Sequence, residues 1–242
     1  MKLLVDLGNS RIKWAWLAAG GPCDFGSAPY DGPSGYAAPL ASLPCPAAIA
    51  AISVAHHHDA EFMTFCRDRW GRAPVWYGAA RAAHGVVNSY EPPEALGVDR
   101  FAALVGARRR YPGRPVCVAD CGTAITVDGL DAGGVFRGGI IAPGLTANRE
   151  ALRRLSPVLA AVAVGDISTP CGRNTADAAA AGLLFAAAGL IERVFREQAT
   201  VLGPGAALVL TGGDGERVGR YLPGPHDYQA HLTLEGLAVM AA

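Results

Sequence analysis

Two short stretches of this chain each place a carboxylate where an apolar run meets a glycine turn. In "LLVDLGNSRIKWAWL" (Leu3 to Leu17) the acid is Asp6 and the turn is Gly8-Asn9-Ser10. In "VCVADCGTAITVDGL" (Val116 to Leu130) the acid is Asp120 and the turn is Gly122-Thr123. A glycine turn lets backbone N–H groups come close to an anion, because no side chain intervenes. Asn9, Ser10, Thr123 and Thr126 add neutral donors, and Lys13 supplies a point charge suited to phosphate. An acid beside a polyphosphate makes chemical sense when a cation lies between them. The two stretches therefore read as a clamp. The first takes the outer phosphates of a nucleotide with a magnesium ion, and the second holds the opposite side of the same phosphates. The competing reading makes each aspartate a turn residue bonding its own backbone. Repetition of the whole construction favours the clamp. Neither a GxxxxGK[ST] loop nor a strand–GxGxxG–helix fingerprint is present, so nucleotide binding would rest on the two turns.

The elements that must hold these turns follow from periodicity and punctuation. Leu3 to Leu7 and Arg11 to Leu17 read as strands, with Ile12, Trp14 and Trp16 alternating against Arg11, Lys13 and Ala15. Gly- and Pro-rich loops are expected from Cys23 to Pro46. A strand over Ala47 to Ala55, a helix over Asp59 to Trp70 and a short strand over Ala73 to Gly78 follow. Val98, Phe101, Ala102 and Val105 fit one face of a helix that Tyr111-Pro112-Gly113 stops. Strands reopen at Val116 to Asp120, Ala124 to Leu130 and Val135 to Ile141. Helices are predicted over Thr146 to Leu155, Thr175 to Gln198 and Leu232 to Met240, with a strand over Ala206 to Gly212. Aligning the openings pairs Asp6 with Asp120 and Gly8 with Gly122 at an offset of 114 residues (120 minus 6). This is the pattern of an internal duplication: two α/β domains, residues 1–112 and 113–242, across a central cleft.

Composition limits the alternatives. At 51% apolar and 17% charged the 242 residues are globular in character rather than disordered. A formal net charge of zero argues against a general nucleic-acid binder, which carries a basic field. The apolar runs read as shorter than the ~18 residues of a membrane span. "AAAAGLLFAAAGLIERVF" reads instead as a buried helix of a soluble protein. "MKLLVD" gains an acid at its sixth residue and so makes no signal-peptide core. Six cysteines without a CxxC pair read as reduced thiols of a cytoplasmic protein.

His56-His57-His58 invites a metal reading, but three consecutive histidines cannot all face one ion on a regular element, and they read as a solvated strand end or helix start. Cys117 and Cys121 read as core thiols. Asp214 in "TGGDG" reads as a side-chain cap on a following helix rather than a pocket residue.

Taken together the motifs resemble those of type III pantothenate kinases, members of the actin-like/sugar-kinase/Hsp70 ATPase superfamily. "DLGNS" (Asp6 to Ser10) resembles that family's Asp-x-Gly-Asn-Thr motif, and "GVDR" (Gly97 to Arg100) its Gly-x-Asp-Arg motif. "DCGTA" (Asp120 to Ala124), "GGIIAPG" (Gly138 to Gly144), Asn174-Thr175 and "TGGD" (Thr211 to Asp214) complete the order. Ser10 stands where the family has threonine, which keeps the hydroxyl, and no adenine-stacking motif is evident.

The resemblance implies two ribonuclease H-like (actin-like ATPase) domains and transfer of the ATP γ-phosphate to pantothenate, giving 4′-phosphopantothenate in the first step of coenzyme A synthesis. It implies Asp99 as the general base, where the residues alone leave open a helix-surface Asp–Arg pair. It implies nucleotide contacts from Asp6, Leu7, Gly8, Asn9, Ser10, Arg11, Ile12, Lys13 and Thr123. Substrate contacts would come from Tyr90, Gly97, Val98, Asp99, Arg100 and Thr175. Asp120 would hold a monovalent cation, potassium or ammonium, and magnesium would arrive with ATP. A homodimer is implied, with neither nucleic-acid nor membrane partners. The alternative is a non-catalytic regulatory protein on the same scaffold, which would not need Asp6, Asp99 and Asp120 together.

Overall fold

The structure, a computed structural model, describes all residues except 31–36, 161, 163, 164 and 168, so part of the loop expected between Cys23 and Pro46 lies outside the described residues. The chain divides into two compact units. The first comprises Met1–Pro112, Gly134–Phe136 and His231–Ala242, and the second comprises Gly113–Gly133 and Arg137–Ala230.

The first unit contains β1 (Lys2–Leu7), β2 (Arg11–Ala18), β3 (Gly21–Pro29), α1 (Ala37–Ala41), β4 (Ala48–Ser53), α2 (Asp59–Trp70) and β5 (Val75–Trp76). A small hairpin of β6 (Ala82–Ala83) and β7 (Val86–Val87) precedes α3 (Val98–Arg110). The second unit contains β8 (Val116–Cys121), β9 (Ala124–Leu130), β10 (Phe136–Pro143), α4 (Leu145–Leu155), α5 (Pro157–Ala160), α6 (Thr175–Leu202), β11 (Ala207–Thr211), α7 (Gly215–Gly219) and β12 (Asp227–Tyr228). The last helix, α8 (Leu232–Met240), returns to the first unit, although the sequence reading grouped it with residues 113–242.

The duplication is visible in the sheets. Their strand orders are β3-β2-β1-β4-β5 and β10-β9-β8-β11-β12, the same topology twice. β1 runs antiparallel to β2 and parallel to β4, and β8 runs antiparallel to β9 and parallel to β11. Hairpins join the antiparallel pairs, while longer crossovers are needed to bring parallel strands together. β1 and β8 lie third in their sheets and are buried over most of their length. That is why they read as continuous apolar runs rather than alternating ones.

Three expectations are corrected. Cys23 to Pro29, expected as loop, belongs to β3, which pairs with β2 in nearly unbroken register from Arg11↔Pro29 to Ala18↔Gly21, with one irregularity between Trp14 and Trp16. Its glycines and prolines are tolerated because it lies at the sheet's edge, where a missing N–H can face away from the ladder. The apolar stretch of α6 is longer than the sequence reading allowed: among the described residues this helix alone has the length and composition to cross a membrane. Only 33% of that apolar stretch is buried. Ala181, Leu184, Ala187, Ala188 and Ile191 pack into the second unit's core, while Ala178, Gly182, Phe185, Ala186 and Gly189 are exposed. Finally, Asp214 stands at the N-cap of α7 without a side-chain capping bond. Its Oδ1 instead accepts from Arg217 Nη1 at 3.3 Å.

Other readings hold. The three histidines form a single 3₁₀ turn leading into α2. Cys66, Cys117 and Cys121 are buried and all six cysteines are free thiols. Burial pushes Cys66 and Cys121 up to about 12, so they remain neutral packing groups rather than nucleophiles.

In the first unit α3 and α8 cross backbone to backbone. A Cβ placed on Gly236 would overlap the Ala102 carbonyl, and one on Gly106 would lie 2.5 Å from the Leu232 carbonyl oxygen. Only glycine permits that approach. Gly236→Ala gains about 1 kcal/mol of helix propensity, but must push the helices apart, and overpacking typically costs about 1–3 kcal/mol or more. The variant is expected to melt several degrees below wild type, measured by thermal unfolding followed by circular dichroism.

Candidate functional site: two acid–glycine turns and the start of a buried helix

In the first unit Asp6 sits near the end of β1, opposite Lys13 on β2 in the antiparallel register. Residues opposed across a ladder project to the same face, so the register alone puts the ammonium over the carboxylate. Lys13 Nζ lies 3.5 Å from Asp6 Oδ2. Asp6 is only 2% exposed, and its Oδ1 has no hydrogen-bond partner. Burial raises the Asp6 carboxyl above its usual range. Lys13 opposes that shift, and the charge of Asp99 adds to it, which places Asp99 within electrostatic reach.

Between the strands Gly8 N donates to the Arg11 carbonyl at 3.1 Å. Asn9 and Ser10 are exposed at the turn, Leu7 and Ile12 are core residues, and Arg11 Nη2 donates to Ser27 Oγ at 3.1 Å. Of the predicted nucleotide segment, Leu7 and Ile12 hold the hairpin, whereas Asp6, Gly8, Asn9, Ser10 and Lys13 present groups that a ligand can use.

The start of α3 supplies the next group. Gly97 is its N-cap residue, Val98 is buried beneath, and Asp99 lies in the first turn, where the helix dipole favours an anion. Asp99 Oδ1 accepts from the Arg100 N–H at 2.7 Å. A Cβ on Gly97 would stand 2.7 Å from that same oxygen, so glycine here leaves room for the carboxylate. Arg100 is 7% exposed. Its Nη1 donates to Tyr90 Oη at 3.1 Å, and its guanidinium carbon lies 5.5 Å from the Tyr90 ring and 5.9 Å from that of Phe136. Tyr90 and Phe136 pack at 5.6 Å between centroids. A guanidinium held by two aromatic faces is oriented for a planar, bidentate acceptor such as a carboxylate.

In the second unit Asp120 is opposite Thr126 on β9 and beside Thr211 on β11. The turn has two residues, Gly122 and Thr123, against three in the first unit, and Gly122 N donates to the Ala124 carbonyl at 3.0 Å. A side chain at Gly212, whose φ is +84°, would collide with Asp120 Oδ1 and crowd the Cys121 carbonyl. Backbone thus approaches this acid as closely as it can. Asp214 N donates to the Cys121 carbonyl at 3.0 Å, and burial raises the Asp214 carboxyl, against the opposing pull of Arg217. Thr175 opens α6 behind its cap Asn174, whose side chain accepts from the Asp177 N–H.

Comparisons with known proteins decide the family. Residues 2–197 match the family model described as type III pantothenate kinase. A type III pantothenate kinase from Halorhodospira halophila is 38% identical over 246 residues, covering 98% of this chain and 96% of that protein. One from Azoarcus sp. (strain BH72) is 41% identical over 248 residues, covering 100% and 91%. The chain belongs to the type III pantothenate kinase family.

The architecture of this type III pantothenate kinase family member is shared more widely. A proposed Baf family transcriptional activator from Campylobacter jejuni superposes with a TM-score of 0.59 at 20% identity, covering 97% of this chain and 94% of that one. The (R)-2-hydroxyglutaryl-CoA dehydratase component A of Acidaminococcus fermentans gives 0.57 at 13% identity, covering 99% and 96%. At such identities these likenesses speak to fold alone, and the fold is the expected pair of ribonuclease H-like, actin-like ATPase domains.

Sequence reasoning assigned no role to Phe136 or to Asn88, which braces the Tyr90 loop. Neither sits in a motif with its own chemical signature.

The buried acid makes a testable claim. With its folded pKa above the unfolded one, ionised Asp6 lowers stability at neutral pH, and the penalty fades as pH falls through the folded value toward 3.8. Asp6→Asn is therefore expected to melt above wild type at pH 7 in the absence of nucleotide, by about 2–4 °C for each kcal/mol relieved. The difference should shrink toward pH 4, as followed by calorimetry across pH.

Proposed function

We propose that the protein transfers the γ-phosphate of ATP to the 4′-hydroxyl of pantothenate, giving 4′-phosphopantothenate at the head of coenzyme A synthesis. The observation that carries the reading is the convergence, within one unit, of buried Asp6 with Lys13 and, through Asp99, the start of α3. Membership in the family supplies the substrate. The hydroxyl oxygen of pantothenate attacks the γ-phosphorus as the bond to the β,γ-bridging oxygen breaks and ADP departs. Asp99 takes the hydroxyl proton. Phosphoryl transfer of this kind needs positioning and charge neutralisation more than covalent help. Arg100, braced by Tyr90, binds the pantothenate carboxylate, with Gly97 and Val98 beside it at the start of α3, and the family resemblance adds Thr175 as a substrate contact.

Asp6 to Lys13 and Thr123 take the nucleotide. The unpartnered, buried Asp6 Oδ1 suits a hard cation, so Asp6 would hold the magnesium of MgATP, which when bound neutralises phosphate charge. Asp120, with the Cys121 carbonyl near the same glycine, offers oxygen ligands of the kind a monovalent cation takes, potassium or ammonium. A homodimer would use the exposed small-residue face of α6, where Ala178, Gly182, Ala186 and Gly189 flank Phe185. Six free thiols support a reducing, cytoplasmic setting. A purely regulatory role gives no reason to keep Asp6, Asp99 and Asp120 together, and the chain keeps all three.

The test is ATP-dependent phosphorylation of pantothenate with magnesium and potassium or ammonium present. Asp99→Asn should reduce kcat by about 10²–10⁴-fold while leaving the melting curve in place, and unchanged turnover would remove Asp99 as the base. Leaving out the monovalent cation should slow wild type strongly and Asp120→Ala little further.

A further inference from the structure

Asn88 is 1% exposed, the most buried polar residue of the first unit after which a loop leaves for the start of α3. Both polar groups of its side chain bond within that loop. Oδ1 accepts from the Tyr90 N–H at 3.0 Å, and Nδ2 donates to the Pro93 carbonyl at 2.8 Å. Its own N–H donates to the Arg81 carbonyl at 2.9 Å, and Arg81 Nη1 donates back to the Asn88 and Tyr90 carbonyls at 3.4 and 3.1 Å. On the far side Ser89 Oγ donates to the Phe136 carbonyl at 2.5 Å. Residues 88 to 93 thus form a small ring closed by one amide side chain, with Tyr90 at its centre.

A tyrosine hydroxyl works as a partner for Arg100 only when the backbone carrying it is fixed. The Tyr90 Oη to Arg100 Nη1 distance of 3.1 Å and the tilted ring contact with Phe136 both depend on the position of Tyr90 Cα. Asn88 is one of the few groups in a position to set it, because its Oδ1 takes the Tyr90 N–H while its Nδ2 ties down the far end of the loop. Few other side chains can do both. Alanine does neither, and serine or threonine can accept from the N–H two residues on but lack the reach to a carbonyl five residues away. Removing the amide from so buried a site leaves the Tyr90 N–H and the Pro93 carbonyl without those partners, which favours a rearranged loop over a merely weakened one.

We infer that Asn88 is a positioning residue for pantothenate, acting through Tyr90 on the orientation of Arg100 and touching no substrate itself. The inference rests on the proposed pantothenate kinase reading. A displaced Tyr90 loosens the guanidinium that receives the substrate carboxylate while leaving the Asp6–Lys13 hairpin intact. Its signature is therefore a split between the two substrates.

The experiment uses the full-length protein and varies pantothenate and ATP separately. Asn88→Ala should raise KM for pantothenate about tenfold and leave KM for ATP within about twofold. Asn88→Ser, which restores an acceptor for the Tyr90 N–H, should recover at least half of the loss on a logarithmic scale. In a Tyr90→Phe background, Asn88→Ala should add less than about threefold, because both changes act through the same contact. Equal rises in both KM values, no rise at all, or full additivity with Tyr90→Phe would each overturn the inference. Should the alanine variant not fold, the serine variant alone and combined with Tyr90→Phe makes the same comparison. Wild type that phosphorylates no pantothenate defeats the reading beneath, and the inference with it. Wild type that does so, with Asn88 variants unchanged, defeats the inference alone.

Discussion

The arrangement depends on one buried carboxylate. Asp6 is held inside the first unit at the end of a central strand, with Lys13 on one oxygen and nothing on the other. Desolvating a carboxylate costs several kcal/mol unless a partner offsets it, and a single ammonium at 3.5 Å, itself about a third exposed, offsets it only in part. The core around β1, β2 and β4 has to make up the difference, and it does so with Leu3, Val5, Leu7, Ile12, Trp14 and Ile49, all buried together. The fold is thus electrostatically frustrated at Asp6, and a cation-bearing ligand of the proposed kind would relieve it. Such buried, strained ionisable groups cluster at functional sites.

The second unit repeats the scaffold and changes its charge. Asp120 occupies the position of Asp6, but Thr126 stands across the ladder in place of Lys13, and the turn is one residue shorter. The residue across the ladder is thus an ammonium in one unit and a neutral hydroxyl in the other. The duplication thus preserved sheet topology while the two acids came to face different side chains. Both hairpins remained recognisable because strand pairing constrains backbone more tightly than side chain.

Much of this was readable from residue order, and the failures have specific causes. β1, β8 and β9 were legible because burial makes them apolar and glycine turns bound them. The three-residue and two-residue turns sat where the two acids suggested. β3 was missed because Gly21, Pro22, Gly26 and Pro29 signal turns, yet an edge strand needs only one partner. Gly26 also has a packing reason: any side chain there would run into the Trp14 indole. In α6, composition gave the helix but not its half-exposed face, since an alanine-rich sequence has almost no amphipathic contrast to read. At the candidate site, Asp99 and Arg100 were singled out through their motif. The facing of Asp6 and Lys13 needed the register, and the Tyr90–Phe136 pair needed the excursion of residues 134–136 into the first unit. Contacts between positions so far apart in the chain leave no trace in local periodicity.

The return of α8 to the first unit has a bearing on how the protein is made. This helix seals β1 and α3, with Lys2 Nζ donating to the Ala241 carbonyl across nearly the full length of the polypeptide. A ribosome emits the first sheet early, yet the helix that closes it emerges only after every residue of the second unit. During translation the nascent first half must wait with an apolar flank uncovered, whereas the second can condense as soon as its own strands are out. Vectorial synthesis therefore favours maturation in the order opposite to that of the gene, and it makes the incomplete first half the species with most need of chaperone protection.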